Sequence, residues 1–213
     1  MAMSTRRLPV FILVDTSGSM RGEPIQALNV GLKTMEQALR RDPFALESVH
    51  LSLITFDLEV RELFPLTPLD QVRIPEIEVP TSGATFLGAA LKLLVARVDR
   101  DVQKGTSAQR GDWRPMAFIM TDGSPSDTQA FEEATAALKQ RQFAHVVACA
   151  AGPKAKPDLL RKITDSVVAL DTLDGAGFAQ FFKWVSSSIA SSGRSISLSD
   201  TLPDLPTEVR VAF

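Results

Sequence analysis

Short apolar runs and helix-like repeats alternate along this chain. The runs fall at about Pro9–Val14, Val49–Phe56, Met116–Thr121, Ala144–Ala151 and Val167–Leu170. Apolar residues three and four positions apart predict helices that begin near Pro24 and Leu87 and others over about Asp127–Arg141, Pro157–Thr164 and Gly177–Ser191. Strands that alternate with helices predict an open, mostly parallel sheet with helices on both faces.

One apolar run, Val60–Leu66, departs from this alternation. It follows the second predicted strand after only Asp57-Leu58-Glu59, which is too short for a parallel crossover, so we expect a hairpin with an antiparallel edge strand. The predicted fold is therefore α/β: three layers, doubly wound and Rossmann-like, with a six-stranded, mostly parallel sheet and one antiparallel edge strand. Residues 1–192 form the predicted domain. Residues 193–213, which contain prolines and lack a clear helical period, form an extended C-terminal tail.

The composition narrows the choice of compartment and partner. With 213 residues, 45% of them hydrophobic, the chain can bury one core that needs no covalent support. A formal net charge of −2 gives no broad electrostatic reason to expect nucleic acid as a partner. No run reaches the roughly 18 apolar residues of a membrane span, and the single cysteine, Cys149, suits a reducing compartment. We therefore expect a cytoplasmic protein.

Two of the apolar runs end in polar segments that carry a carboxylate. Asp15-Thr16-Ser17-Gly18-Ser19 follows the first run, and Thr121-Asp122-Gly123 closes the run from Met116. A third segment, Thr81-Ser82-Gly83-Ala84-Thr85, opens the helix near Leu87. Ligands of doubly wound sheets lie beyond the carboxyl ends of the strands, so we expect these three loops to converge there.

In this order, the three loops resemble the metal-ion-dependent adhesion site of a von Willebrand factor A domain, in which D-x-S-x-S is followed by T and then D. The resemblance runs from about Leu8 to about Ser192. Within that family, the stretches Asp15–Ile25, Thr81–Gly88 and Trp113–Asp127 resemble the bacterial stand-alone type associated with tellurite resistance, the TerY type. The resemblance implies a metal held by five residues: Asp15, Ser17, Ser19, Thr85 and Asp122.

Every side-chain donor in this set is an oxygen atom, and none comes from cysteine or histidine. Such a set favours a hard cation such as Mg²⁺, with Mn²⁺ or Ca²⁺ as substitutes, over zinc or copper. We expect Gly18 to relieve the backbone of the turn, so that Ser17 and Ser19 point the same way as Asp15. Because hydroxyl ligands donate little charge, the metal keeps much of its positive field, and a partner's Asp or Glu carboxylate can displace a bound water.

The leading hypothesis is therefore a non-enzymatic, metal-dependent protein-binding module. We expect its specificity to come from a rim of residues on the surrounding loops: Arg21, Glu23, Phe86, Ser124 and Asp127. The tellurite-resistance resemblance implies a bacterial stress-response assembly, in which the partners are other tellurite-resistance proteins or a protein kinase or phosphatase.

Two alternative functions remain open. One is a metal-assisted phosphoester hydrolase, because an aspartate at a strand end beside a metal is also found in phosphatases. Such enzymes usually need a second aspartate two residues further on, where this chain has Ser17, and no G-x-S-x-G or phosphate-loop motif is present. The other is a structural subunit whose metal serves stability alone. Each hydroxyl of the set could instead cap a helix, and each aspartate could be a turn residue.

Overall fold

A single sheet forms the middle layer of the structure, a computed structural model that describes residues 6–80, 83–107, 110–194, 202–206 and 209–211. Seven strands are found within those ranges: β1 Leu8–Asp15, β2 Val49–Phe56, β3 Val60–Pro68, β4 Met116–Thr121, β5 His145–Ala151, β6 Val167–Leu170 and β7 Val209–Val211. Their order across the sheet is β3-β2-β1-β4-β5-β6-β7. The five inner strands are parallel, whereas β3 and β7 pair antiparallel at the two edges.

Helices cover both faces of the sheet. The described residues form α1 Glu23–Arg40, α2 Pro43–Ser48, α3 Leu87–Asp101, α4 Thr128–Lys139, α5 Pro157–Leu160 and α6 Gly175–Arg194. Proline stands in the first turn of α1, α2 and α5, where its missing N–H leaves no helical hydrogen bond unmade. In the described ranges, none of the helices combines the length and apolar content that a membrane crossing requires.

Alternate side chains of β1 contribute to two separate cores. Val10, Ile12 and Val14 pack in the apolar cluster beneath α1 and α6. Phe11 and Leu13 pack in the cluster beneath α3 and α4. Successive side chains of a strand point to opposite faces, so a strand that is covered on both faces must be apolar throughout. This requirement explains the uninterrupted apolar run before Asp15.

The predicted fold class is confirmed, with one strand more than expected. The sheet has seven strands rather than six and two antiparallel edges rather than one, because Val209–Val211 pairs with β6. This strand is three residues long, and only Val209 is buried. A segment of that length shows neither the alternation nor the apolar run that predicts a strand.

Part of the predicted tail packs against the rest of the chain. Trp184 of α6 donates a hydrogen bond from Nε1 to the Pro203 carbonyl at 3.0 Å. Leu202 and Leu205 contact the apolar cluster around α6. Residues 195–201, 207–208 and 212–213 of the predicted tail lie outside the described residues, and the division at residue 192 stays a prediction.

The strand order reverses between β1 and β4. The chain passes from β1 to β2 on one side, and β4 lies on the other side of β1. Val14 of β1 pairs with Met120 of β4, so the loops that follow the two strands leave the sheet side by side. Ligands of open α/β sheets bind at such a reversal, beyond the carboxyl ends of the strands.

Candidate metal centre

Asp15 is the last residue of β1, and its carboxylate is completely buried. Its Oδ2 accepts a hydrogen bond from the Thr121 hydroxyl at 2.6 Å, and its Oδ1 accepts one from the Ser17 backbone N–H at 2.8 Å. Burial raises the pKa of Asp15 to about 6, because it outweighs these hydrogen bonds; the charge of Asp122 adds to the increase. The site therefore holds a carboxylate that its surroundings stabilise poorly in the charged form.

The two serine hydroxyls lie next to each other at the mouth of the site. Ser17 Oγ and Ser19 Oγ are 3.2 Å apart, with Ser17 buried and Ser19 exposed. A short 3-10 helix, Gly18–Met20, turns the chain so that both side chains face the same way. Of the two glycines in this segment, Gly22 has a positive φ, 89°, whereas Gly18 begins the 3-10 helix with a φ that is not positive. Gly22 directly precedes α1, where a side chain would strain the turn into the helix.

Asp122 follows β4 and is 2% exposed. Its Oδ1 is buried and has no hydrogen-bond partner among the described residues. Buried carboxylate oxygens are almost always hydrogen-bonded or paired with a cation, because an uncompensated buried charge is strongly unfavourable. Asp122 Oδ1 therefore has the environment expected of a metal ligand.

Thr85 approaches the centre from the loop before α3. Its backbone N–H donates to Ser126 Oγ at 3.1 Å, and its carbonyl accepts from the Ser126 N–H at 2.8 Å, which fixes it to the loop after β4. A Cβ atom built on Gly123 would lie 3.2 Å from Thr85 Oγ1, so the hydroxyl lies beside the residue that follows Asp122. The helix begins at Leu87, and Thr81 and Ser82 lie outside the described residues.

The donor set suits a hard divalent cation. Its two carboxylates and three hydroxyls offer oxygen atoms, which Mg²⁺, Mn²⁺ and Ca²⁺ prefer. Among the residues that the structure describes, no group of three or more His, Cys, Asp and Glu side chains forms a possible metal cluster. A cation at this centre would therefore depend on hydroxyl oxygens as well as on the carboxylates.

The five predicted rim residues occupy different environments. Arg21 Nη2 donates to the Pro80 carbonyl at 2.9 Å, and Glu23 is the exposed first residue of α1. Phe86 and Ser124 are half-buried. Asp127 accepts hydrogen bonds from the Gly88 and Ala89 N–H groups at 3.0 and 2.8 Å, so its carboxylate caps α3. A partner-binding role for these five residues stays a prediction.

Asp57 is a residue of the centre that the sequence analysis treated only as part of a hairpin turn. Its buried side chain accepts from Thr16 Oγ1 at 2.9 Å and from the Glu59 N–H at 3.1 Å. Its carbonyl accepts from the Phe86 N–H at 2.8 Å. Asp57 thus joins the D-x-S-x-S loop to the segment that carries Thr85. One feature of the sequence could have identified Asp57: like Asp15 and Asp122, it directly follows an apolar run.

A family model described as von Willebrand factor type A domain matches residues 10–176. The match covers more than half of the 213 residues. The chain belongs to the von Willebrand factor type A domain family. The family assignment made from the three loops is thereby confirmed, whereas the tellurite-resistance type is a narrower statement that this match does not address. No curated protein matches the chain in sequence.

Solved structures share the fold of this von Willebrand factor A domain at low sequence identity. The von Willebrand factor type A protein from Catenulispora acidiphila is 16% identical over 87% of this chain and 43% of its own, with a TM-score of 0.63. Proximal thread matrix protein 1 from the mussel byssus, described with a zinc-occupied MIDAS (metal-ion-dependent adhesion site) motif, is 17% identical over 85% of this chain and 48% of its own, with a TM-score of 0.61. The manganese-loaded TRAP protein of Plasmodium vivax is 20% identical over 84% of this chain and 74% of its own, with a TM-score of 0.56. This chain thus spans less than half the length of the first two proteins.

Proposed function

We propose that this domain holds a divalent cation at Asp15, Ser17, Ser19, Thr85 and Asp122 and uses it to bind the carboxylate of a protein partner. The observation that carries the proposal is the buried Oδ1 of Asp122, which has no hydrogen-bond partner among the described residues. The neighbouring Asp15 is also buried, and its pKa is raised to about 6. Two buried carboxylates that the protein leaves undercompensated are what a cation would stabilise.

Mg²⁺ is the cation that we favour, with Mn²⁺ or Ca²⁺ as substitutes. The support is the all-oxygen donor set and its three neutral hydroxyls, which suit a hard ion that readily keeps water ligands. The solved neighbours described as zinc-occupied and manganese-loaded support a divalent cation in this fold. When bound, the ion supplies an electropositive centre that an Asp or Glu of the partner can approach.

The same residues favour binding over catalysis. Ser17 stands two residues after Asp15, where phosphatases with an aspartyl nucleophile need a second aspartate. The hydroxyl of Ser17 lies 3.2 Å from the hydroxyl of Ser19, and neither hydroxyl is hydrogen-bonded to a described His or Lys. We therefore place this domain among the non-enzymatic interaction modules.

The resemblance of Asp15–Ile25, Thr81–Gly88 and Trp113–Asp127 to the TerY type suggests the biological setting. On this basis we propose a cytoplasmic stress-response assembly in a bacterium. Other tellurite-resistance proteins, or a protein kinase or phosphatase, would be its partners. This part of the proposal rests on the resemblance of these segments.

Two measurements, made one after the other, test the proposal. Isothermal titration calorimetry with Mn²⁺ should show one saturable site in the wild-type domain and a large loss of affinity in Asp122→Ala. The control is Glu47→Ala, which removes an exposed carboxylate on α2 and should leave the affinity unchanged. Affinity capture from host lysate should then recover a partner in Mg²⁺ but not in EDTA, and with Glu47→Ala but not with Asp122→Ala. A partner that is retained under all of these conditions would contradict metal-dependent binding.

A further inference from the structure

A second concave site lies at the end of the sheet opposite the metal centre. Its walls come from the segments that precede β1, β4 and β5 and from the carboxyl end of α3 and the residues that follow α3 and α4. Its volume of about 740 Å³ is within the range of pockets that bind small organic molecules. The proposed function assigns no role to this pocket or to Trp113 and Arg114, which line it.

Trp113 and Arg6 form a fixed part of the wall. The Arg6 guanidinium lies 4.1 Å from the centre of the Trp113 ring. Its Nε and Nη2 donate to the carbonyls of Gly111 and Asp112 at 2.6 and 2.8 Å. A guanidinium with two carbonyl acceptors and a ring beneath it has little freedom to move. This side of the pocket is therefore formed without a ligand.

The loop between α3 and β4 is also closed at its base. The Asp112 N–H donates to the Gln103 carbonyl at 2.8 Å, and the Gln103 N–H donates to Asp112 Oδ2 at 2.8 Å. A Cβ atom on Gly111 would lie 2.2 Å from the Gly105 backbone nitrogen, so the two sides of the loop touch at a point where only glycine fits. The pocket wall thus keeps its shape through contacts within the loop.

Positive charge predominates in the lining. Its ionisable side chains are four basic and two acidic: Arg6, Lys104, Arg114, Arg141, Asp99 and Asp112. Both acidic groups are paired with arginine, Asp112 with Arg7 at 2.6 Å and Asp99 with Arg141 at 2.7 Å. The remaining positive charge is therefore not cancelled within the pocket.

The helix ends that face the pocket do not reverse this balance. Carbonyl groups at the carboxyl end of a helix carry partial negative charge and would repel an anion. Here Arg7 Nη2 donates to the Asp101 carbonyl at 3.0 Å, and Arg141 Nη1 donates to the Ala137 carbonyl at 2.6 Å. One carbonyl at the end of α3 and one near the end of α4 are thus already hydrogen-bonded to an arginine.

Lys104 and Arg114 are the cations left for a ligand. Both are exposed, and neither forms an ion pair with another described residue; the charge of Lys104 helps to lower the pKa of Asp99, whose carboxylate is paired with Arg141. Glutamine amides stand beside them in the lining: Gln103, Gln140 and Gln142. Two unpaired cations together match a phosphate dianion, and the amides and the Trp113 ring can contact an organic group attached to it.

We infer that this pocket binds a small organic phosphate, whose phosphate group contacts Lys104 and Arg114. Adenosine monophosphate, inorganic phosphate and adenosine serve as probes, in EDTA so that no cation at the metal centre contributes. Binding is followed by nuclear magnetic resonance, through the indole N–H signals of the tryptophans in ¹⁵N-labelled protein. The chain has two tryptophans. Trp184 lies outside this pocket, where its Nε1 donates a hydrogen bond to the Pro203 carbonyl, so its signal is an internal reference for that of Trp113.

Adenosine monophosphate should shift the Trp113 signal saturably and leave the Trp184 signal in place, whereas adenosine should shift neither. Lys104→Ala and Arg114→Ala should each weaken binding at least about tenfold at constant ionic strength, because each removes a charge-assisted contact. Lys33→Ala, an exposed lysine on α1, should have no effect.

The inference is overturned if neither adenosine monophosphate nor inorganic phosphate shifts Trp113 saturably. It is also overturned if adenosine binds as tightly as its monophosphate, or if both pocket variants keep wild-type affinity. Because the pocket uses none of the five predicted metal ligands, Asp122→Ala should bind the phosphate probes as the wild type does. Loss of binding in that variant, with its fold intact, would assign the signal to the metal centre instead.

Discussion

At the scale of single residues, the Asp15 carboxyl group of the proposed metal centre is buried and held by hydrogen bonds. Burial raises its pKa to about 6 although Thr121 and Ser17 both donate hydrogen bonds to it. Asp122 contributes a second buried carboxylate whose Oδ1 has no hydrogen-bond partner among the described residues. Two buried carboxylates are unfavourable together when nothing compensates their charge, and a bound cation would compensate it.

We expect the metal-free domain to lose stability as the pH rises from about 4 to about 6. An acid whose pKa is higher in the folded than in the unfolded protein keeps its proton longer when folded, so stability falls across that interval. The difference between the ordinary value of 3.8 and about 6 corresponds to about 3 kcal/mol at 1.36 kcal/mol per pH unit. Urea unfolding in EDTA measures it against Asp15→Asn, which lacks this titration. Parallel pH profiles for the two proteins would contradict the prediction.

The same residues show why part of the centre was predictable from sequence. Asp15 ends one apolar strand and Asp122 directly follows another, and ligands of doubly wound sheets bind beyond the carboxyl ends of the strands. Asp57 follows β2 in the same way, but its short distance from β3 favoured a turn. The capping bonds of Asp127 could not be predicted, because they join residues 39 and 38 positions apart.

At the scale of secondary-structure elements, Asp57 connects the parts that carry the hydroxyl ligands. It holds the loop after β1 through Thr16 Oγ1 and the segment before α3 through the Phe86 N–H. Ser17 and Ser19 lie on the first of these parts, and Thr85 lies on the second. The carboxylate of Asp57 makes the first of these contacts and its backbone carbonyl makes the second, so only the position of the loop after β1 depends on this buried side chain, which is not itself a predicted ligand.

Asp57→Asn and Thr16→Val should each weaken Mn²⁺ binding by displacing the loop that carries the predicted ligands Ser17 and Ser19. Since the two side chains share one hydrogen bond, their effects should be non-additive, with a coupling of about 0.5–3 kcal/mol in a double-mutant cycle. Asp112→Asn is the control, because it removes a buried carboxylate, here paired with Arg7, at the other end of the sheet. That variant should be less stable but bind Mn²⁺ normally. Additive effects of the first two substitutions would contradict a positioning role for Asp57.

The seventh strand, β7, could not be predicted from the sequence, unlike the other six. β1 to β6 were predicted because buried strands leave long apolar or alternating runs. β7 pairs over three residues, and its place in the sheet depends on β6 and α6 being present first. A strand defined by what it packs against has no pattern of its own to detect.

Val209→Ser should therefore destabilise the domain by about 1–2 kcal/mol, because Val209 is 3% exposed against the core. Val211→Ser on the same strand should change stability by less than about 0.5 kcal/mol, because Val211 is 49% exposed. Urea unfolding of the two variants measures the difference. Equal effects would mean that β7 does not cover the β6 edge in solution.

At the scale of the whole molecule, the sheet separates two sites of different character. The carboxyl ends of β1 and β4 carry buried, undercompensated carboxylates. The amino ends of β1, β4 and β5 carry a pocket in which the carboxylates are paired and cations are left over. Apolar β1 side chains fill the space between the two ends on both faces of the sheet.

Saturating Mg²⁺ should stabilise the whole domain. At 100 times the dissociation constant, binding to the folded state alone adds about 2.7 kcal/mol. For a chain of 213 residues, that gain raises the unfolding temperature by about 5–10 °C.

Asp122→Asn should lose this gain, yet its metal-free form should be as stable as the wild type or slightly more so. Its Oδ1 accepts no hydrogen bond from a described residue, and the substitution removes a charge near Asp15. Thermal unfolding of both proteins in EDTA and in Mg²⁺ measures the four values. A large loss of metal-free stability in Asp122→Asn would make this carboxylate a structural acceptor and would contradict its assignment to the cation.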